Sequence, residues 1–190
     1  MYDASRRRSV LTRLASAALL TCLAVAGESA VSAAERNPPG DIPDNQVFVT
    51  YTSPAGFSLD VPEGWARTER SDGVRFTDKY NIIDVAVTAA AATPTVASAS
   101  THEGADLAKT GRAVKIDAVR NARLASGAAI LIAYSSNSHP NAVTGKSLRQ
   151  EHHRYLIYRN GKLATIDLAA PLGADNADQW KHIANSFRWR

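Results

Sequence analysis

The stretch that decides the fold is YTSPAGFSLDVPEGW at residues 51–65. Apolar and polar side chains alternate at residues 57–61, which is the period-two pattern of a strand with one buried face. Residues 53–56, SPAG, predict a turn before this strand. Pro62 ends the strand because proline has no N–H for the next ladder hydrogen bond. Because residues 47–51 also alternate, the stretch predicts two strands joined by a short turn.

The same alternation recurs along the rest of the chain. It predicts further strands at residues 74–78, 81–91, 114–118, 129–134, 149–159 and 162–168. Asn160-Gly161 joins the last two strands and predicts a type I′ hairpin, which needs positive φ at both central positions. The run at residues 129–134, AILIAY, is apolar on both faces, which predicts a central strand covered on both sides.

Two helices complete the prediction. Ser100 and Glu103 have the spacing of a capping box, which predicts a first helix at residues 101–109. Asn176 is a candidate cap for a second helix, whose apolar residues recur at the helical spacing. These residues are Ala177, Trp180, Ile183, Ala184 and Phe187. Strands in two groups, with one helix between them and one at the end, predict an α+β fold in which helices flank an antiparallel β-sheet.

The N-terminal residues differ in composition from the rest of the chain. Arginines 6, 7, 8 and 13 precede an uncharged apolar run at residues 14–27, and small residues follow it. This order is typical of a bacterial export signal, and the run is shorter than the roughly 20 residues of a membrane span. We expect residues 1–33 to be cleaved near Ala33, which leaves a periplasmic or secreted chain without a transmembrane segment.

Two alternatives stay open within this signal. Arg7-Arg8 resembles a twin-arginine motif, which would mean export of the folded protein instead of Sec export. Residues 19–22, LLTC, resemble a lipoprotein box in which Cys22 would be acylated, and Thr21 fits that box poorly.

The export signal leads into the folded domain through a proline-rich segment. Residues 34–45, AERNPPGDIPDN, contain three prolines and no periodic apolar pattern, which predicts a flexible spacer. The folded domain is therefore expected at residues 46–190.

Composition excludes several classes of function. The full chain has 22 basic and 18 acidic residues, and without residues 1–33 the counts fall to 18 and 16, a net charge of +2. With no Lys/Arg cluster, nucleic acid is not expected as a partner. The single Cys excludes both a disulfide scaffold and a four-cysteine zinc site.

The five histidines do not have the spacing of a metal site. They are His102, His139, His152, His153 and His182. His152 and His153 are adjacent on a predicted strand, so their side chains point to opposite faces. The sequence also lacks Gly-x-Ser-x-Gly and the glycine-rich phosphate motifs. We therefore predict no catalytic residue, no metal and no cofactor, and the sequence identifies no cofactor-binding residue.

Two polar features remain as candidates. Asp167 is expected to be partly buried, and pairing with Arg154 is favoured over catalysis. Residues 135–147 predict a polar loop that is long for a compact domain. Long loops often carry binding residues, so a functional role for this loop stays open.

The chain resembles the PsbP-like domains at both ends. Residues 51–65 resemble the opening of these domains, in which a Gly-Phe turn leads to a strand that ends at Pro and Trp. Residues 180–189, WKHIANSFRW, are similar to their closing helix, whose Ser-Phe pair is matched by Ser186-Phe187. The order of the elements between these ends also fits. The resemblance implies an α/β/α sandwich at residues 46–190, in a family whose members mostly act as binding or assembly modules.

These observations predict an exported, non-catalytic binding or accessory module of the bacterial cell envelope. Its partner would be an envelope protein or a small ligand, and the sequence does not identify either. One alternative is a lipid-anchored accessory factor with an acylated Cys22. The other is an envelope hydrolase that uses His139 or His153 with a carboxylate.

Overall fold

The structure is a computed structural model that describes residues 40–190. The predicted export signal at residues 1–33, including Cys22, lies outside the described residues. Among the helices of residues 40–190, none is long and apolar enough to cross a membrane.

The described residues form ten strands and three helices. In chain order these are β1 (Phe48–Ser53), β2 (Phe57–Pro62), β3 (Ala66–Arg70), β4 (Gly73–Asp78), β5 (Asn81–Ala89), α1 (Val96–Thr101), α2 (Glu103–Thr110), β6 (Lys115–Leu124), β7 (Gly127–Asn137), β8 (Arg149–Arg159), β9 (Lys162–Pro171), α3 (Ala177–Ser186) and β10 (Arg188–Trp189).

The strands form two antiparallel sheets. The larger sheet has seven strands in the order β3-β4-β5-β9-β8-β7-β6, and the smaller has three in the order β1-β2-β10. The predicted hairpin at Asn160-Gly161 is confirmed, with φ of 50° and 78° at its two central residues. The α+β fold predicted from the sequence, with helices flanking an antiparallel sheet, is confirmed.

Both faces of the large sheet are covered, in part, by helices. On one face, Ala99 of α1 and Leu107 of α2 pack with Ile130, Ile132 and Leu156. The opposite face packs against α3 and the small sheet. The core on that face includes Phe57, Leu59, Leu131, Ile166, Leu168, Ile183 and Phe187. Strand β7 is therefore covered on both sides, as its apolar sequence predicts.

The two ends of the domain meet in the core. Phe57 of β2 and Phe187, which follows α3, are both fully buried, and their rings stack with centroids 5.7 Å apart. A stacked aromatic pair of this kind stabilises the core beyond the area it buries. The opening hairpin and the closing helix thus belong to one folded unit.

The predicted helix at residues 101–109 is instead two short helices. Thr95 caps α1, because its hydroxyl accepts from the Ser98 N–H at 3.1 Å and the Ser98 hydroxyl accepts from the Thr95 N–H at 2.9 Å. The predicted capping box at Ser100 and Glu103 is wrong, since this earlier hydroxyl pair satisfies the first backbone donors.

One strand escaped the sequence prediction. All five residues of β3 (ARTER) are exposed, so the strand has no alternation of apolar and polar side chains. It pairs only with β4, at one edge of the large sheet. Charged residues on an edge strand discourage pairing with other chains, which explains its composition.

Residues 40–45 are fixed to the start of α3, which corrects the prediction of a flexible spacer for these residues. The Ile42 side chain is 4% exposed, and the Ile42 N–H donates to Asn176 Oδ1 at 2.7 Å. Asn176 Nδ2 in turn donates to the Gly40 carbonyl at 2.9 Å, and Gln179 Nε2 donates to Asp44 Oδ1 at 3.0 Å. Asn176 stands at the predicted N-cap position of α3, but its side chain makes no capping hydrogen bond. The side chain binds residues 40–45 instead.

Candidate functional site

Four charged residues lie opposite one another on four adjacent strands. In the register of the large sheet, Arg75 (β4) pairs with Asp84 (β5), Asp84 with Asp167 (β9), and Asp167 with Arg154 (β8). Directly opposed residues project from the same face of a sheet, and two like charges so placed repel each other. An arginine on the outer side of each aspartate compensates for this repulsion. We call these four residues the charged row.

The charged row lies on the face that carries α1 and α2, beyond the area these helices cover. Their apolar residues pack on Ile130, Ile132 and Leu156, and the rest of this face borders a cavity of about 760 Å³. We call this cavity the open-face pocket. Because a charge buried away from water is costly, four charges in a row require an uncovered face.

Asp167 is the centre of the hydrogen-bond network on the pocket floor. Its side chain is largely buried, and its Oδ2 accepts from Tyr134 Oη at 2.5 Å and from Arg154 Nε at 2.9 Å. Its Oδ1 accepts from His152 Nδ1 at 3.2 Å. Burial raises the pKa of Asp167, but the hydrogen bond from His152 and the charge of Arg154 outweigh it and hold the pKa below its usual value.

His152 of β8 lies between Asp167 of β9 and Ser136 of β7 and contacts both side chains. His152 Nδ1 donates to Asp167, and Ser136 Oγ lies 2.8 Å from the other ring nitrogen, Nε2. The His152 ring also stacks on Tyr134, with centroids 4.2 Å apart and planes 13° apart. We call Tyr134, Ser136, His152, Arg154 and Asp167 the Asp167 cluster.

The Tyr134 hydroxyl acts as a fixed donor in this cluster. Burial is the largest cause that raises its pKa, and the negative charge of Asp167 raises it further. Tyr134 therefore stays protonated at any physiological pH and donates to the carboxylate. The Arg154 guanidinium also lies over the Tyr134 ring, with its central carbon 5.8 Å from the centroid.

Two cationic side chains lie at the rim of the pocket. Lys79 stands in the turn between β4 and β5, and Arg112 stands in the link between α2 and β6. Arg112 Nη2 lies 3.0 Å from His139 Nδ1. Within residues 40–190, neither cation forms an ion pair with a carboxylate.

Some candidate residues named from the sequence lie at the open-face pocket, and others lie elsewhere. The expected pairing of Asp167 with Arg154 is confirmed, and His139 lies at the pocket rim. His153 lies on the opposite face from His152, as expected, where its ring meets Trp180 edge-on with centroids 5.0 Å apart. Burial lowers the pKa of His153, which favours the neutral form of the ring in this contact.

His102 and His182 do not line the open-face pocket, whereas the start of the polar loop borders it at Ser138 and His139. His182 packs on Phe48 with centroids 4.6 Å apart, and His102 lies between α1 and α2. The polar loop predicted at residues 135–147 starts later, because residues up to Asn137 belong to β7. Of the described residues, no group of three or more His, Cys, Asp or Glu could hold a metal ion.

Three members of the Asp167 cluster were missed by sequence reasoning. They are Tyr134, Ser136 and His152. A signal was available in the spacing, since Tyr134 and Ser136, like His152 and Arg154, are two residues apart on one strand and share a face. The Asn160-Gly161 turn fixes the register that places His152 and Arg154 beside Asp167. The β7–β8 register that brings Tyr134 and Ser136 there spans a longer loop, and no local pattern specifies it.

Comparisons with known proteins identify the fold. No family model matches the sequence, and no curated protein matches it. The solved structure of cyanobacterial PsbP (CyanoP) from Synechocystis sp. PCC 6803 is similar with a TM-score of 0.54 and 16% identity, covering 80% of this chain and 98% of that chain. The Ran-binding protein Mog1p of Saccharomyces cerevisiae is similar with a TM-score of 0.52 and 11% identity, covering 76% and 96%. The chain has the PsbP-like fold, as its two terminal stretches predict.

The buried charge of Asp167 predicts a specific pH dependence of stability. A carboxyl whose pKa is lower in the folded than in the unfolded state stabilises the fold above about pH 4, its unfolded pKa. That contribution is lost as the pH falls through the folded pKa. We expect Asp167→Asn to lower the free energy of unfolding at pH 7 by about 3 kcal/mol, because Arg154 loses its partner. The variant should lose less stability than the wild type between pH 5 and pH 2.

Urea unfolding across this pH range measures both effects. Asp117→Asn is the control, because Asp117 forms an exposed ion pair with Lys115, and such pairs contribute at most about 1 kcal/mol. Parallel pH profiles for the wild type and Asp167→Asn would contradict the assignment of Asp167 as a stabilised buried anion.

Proposed function

We propose that the protein is an exported, non-catalytic binding module of the bacterial cell envelope and that the open-face pocket is its binding site. The composition of residues 1–33 supports export. One observation carries the assignment of the site: an ordered ionic network forms the floor of an open cavity. The volume of about 760 Å³ is within the range of roughly 300–1,000 Å³ found for small-molecule sites.

The Asp167 cluster lowers the stability of the fold compared with an apolar cluster of similar size, because its charges lose part of their hydration. An apolar face would have let a helix or loop cover these strands, whereas charges hold the face open to solvent. Local choices that lower stability without a packing gain are most often found at functional sites. The cluster also holds its donors and acceptors in fixed positions before any ligand arrives, which lowers the entropy cost of binding.

A protein is the other class of partner for this site. Mog1p, which has a similar fold, is a Ran-binding protein. This likeness supports protein binding as a capability of the fold. The concave, charged floor of the pocket favours a small ligand or a single side chain of a partner over a flat protein surface.

A variant that obstructs the entrance of the pocket distinguishes binding in the pocket from binding elsewhere on the protein. Thr110 lies at the pocket rim and is exposed, so Thr110→Trp is expected to obstruct the entrance. Thr101→Trp is the matched control, because Thr101 is an exposed threonine at the end of α1 and does not line the pocket. The measurement is an NMR screen of neutral, anionic and cationic fragments against the exported, mature protein.

We expect fragments that bind to shift the amide resonances of Ser136 and His152. Thr110→Trp should weaken this binding about tenfold or more, while Thr101→Trp leaves it unchanged. Binding that maps to another surface, or that both variants leave intact, would overturn the assignment of the pocket as the binding site.

Export is tested by the mature N-terminus. Mass spectrometry of the protein recovered from the cell envelope should find Ala34 or Glu35 as the first residue. An acylated Cys22 would instead establish the lipid-anchored alternative. Recovery of the chain in the cytoplasm with residues 1–33 intact would contradict export altogether.

An acyl-transfer hydrolase is the second candidate function, favoured by the Ser136–His152–Asp167 chain of hydrogen bonds. This chain has the order of groups that activates a serine nucleophile. Two features support binding instead. The Ser136 residue is only 8% exposed and lies within a paired strand, and Arg154 already neutralises the carboxylate that would stabilise a protonated His152.

A fluorophosphonate probe distinguishes these two functions. We expect no covalent labelling of Ser136 and no ester hydrolysis above that of Ser136→Ala. Labelling of Ser136 that is lost in His152→Ala would establish the hydrolase and overturn the non-catalytic assignment.

A further inference from the structure

We propose that the open-face pocket binds its ligand through an anionic group, a carboxylate or a phosphate, held between Lys79 and Arg112 at the rim and Arg154 on the floor. This inference rests on the proposed function of the pocket as a binding site. It adds the chemical class of the ligand and the residues that select it.

The charges that line the pocket favour an anion. Four cationic side chains line the cavity, and only two carboxylates, Asp84 and Asp167, accompany them. Both carboxylates are engaged: Asp84 pairs with Arg75 and also with Arg70, and Asp167 pairs with Arg154. A concave surface lined by an excess of one charge concentrates ions of the opposite sign. A cationic ligand would have to displace an arginine from each aspartate that it approached.

The rim supplies the cations that are not otherwise used. Lys79 and Arg112 form no ion pair with a carboxylate of residues 40–190, whereas Arg75 and Arg154 each do. Arg112 is also fixed at its backbone, because its carbonyl accepts from the Asn137 N–H at 2.8 Å. The two rim cations are therefore positioned on different elements that border one cavity.

The backbone at the rim departs from what the local sequence favours. Lys79 and Tyr80 form a two-residue turn between the paired residues Asp78 and Asn81, and Lys79 has a φ of 52°. Asn or Gly adopts this conformation at less cost than lysine does. Ala113, next to Arg112, has a φ of 48°. In residues 40–190, Asn160 is the only other non-glycine residue with positive φ. Such backbone conformations cluster at binding sites.

Arg154 provides a fixed donor on the floor. Its Nε and Nη2 both point to Asp167 Oδ2, and its Nη1 makes no hydrogen bond to a described residue. The carboxylate and the Tyr134 ring hold the guanidinium in place. A guanidinium held in this way can donate to a carboxylate or phosphate oxygen without first being ordered.

The experiment is an NMR titration of the mature protein with inorganic phosphate, acetate and glycerol 3-phosphate. Glycerol and ethanolamine are the neutral and cationic counterparts. We expect the anions to shift the resonances of Lys79, Arg112 and Arg154, with an affinity that falls as the salt concentration rises. The double variant Lys79→Gln/Arg112→Gln should weaken anion binding about tenfold or more.

A matched control removes the same charge elsewhere. Arg159 and Lys162 flank the β8–β9 hairpin at the opposite end of these strands from Gln150, and neither lines the pocket. Arg159→Gln/Lys162→Gln should bind anions as the wild type does. Equal weakening in both double variants would show attraction to net charge alone and would overturn the proposal.

The remaining outcomes distinguish this inference from the proposed function. If glycerol or another neutral fragment binds in the pocket and the anions do not, the anionic class is overturned while the binding site stands. If no probe of any charge binds, both the anionic class of the ligand and the binding site are overturned.

Vesicles of phosphatidylglycerol and of phosphatidylcholine test whether the anion belongs to a lipid. Selective binding of phosphatidylglycerol vesicles that Lys79→Gln/Arg112→Gln abolishes would support the anionic ligand and identify a lipid headgroup as its source.

Discussion

The pairing of Asp167 with Arg154 on adjacent strands is the interaction on which the architecture of the site depends. It places a carboxylate in the middle of a seven-stranded sheet, on a face where neighbouring strands carry Ile130, Ile132 and Leu156. A charge in such a place requires partners and solvent access. The helices α1 and α2 cover the apolar part of the face, and the charged part borders a cavity.

Much of the fold could be predicted from local patterns. The alternation at residues 57–61, the Asn160-Gly161 turn and the apolar stripe of α3 each specify one element, and each is present. The exceptions have physical causes. Strand β3 is exposed at an edge of the sheet, so its sequence has no alternation of apolar and polar residues. Residues 40–45 have the composition of a linker except for Ile42. The contacts of Ile42 are with the start of a helix more than 130 residues further along the chain.

Less of the site could be predicted. The pairing of Asp167 with Arg154 followed from the predicted hairpin, because a two-residue turn fixes the register of its strands. His152 was correctly placed on the opposite face from His153, but the residues beside it were not. Tyr134 stands at the end of an apolar run, and its ring is buried in the core as that run predicts. Its hydroxyl meets Asp167 only because β7, β8 and β9 are neighbours, which is a property of topology.

The central claim is that the Asp167 cluster is ordered before ligand arrives and that Arg154 then contacts an anion. The ¹⁵N spectrum of the His152 and Arg154 side chains, recorded with and without phosphate, tests both parts. We expect His152 Nδ1 to carry a proton in the free protein, because it donates to Asp167, and we expect phosphate to shift the Arg154 guanidinium resonances. An Nδ1 without a proton would contradict the first part, and an Arg154 signal that saturating phosphate leaves unchanged would contradict the second.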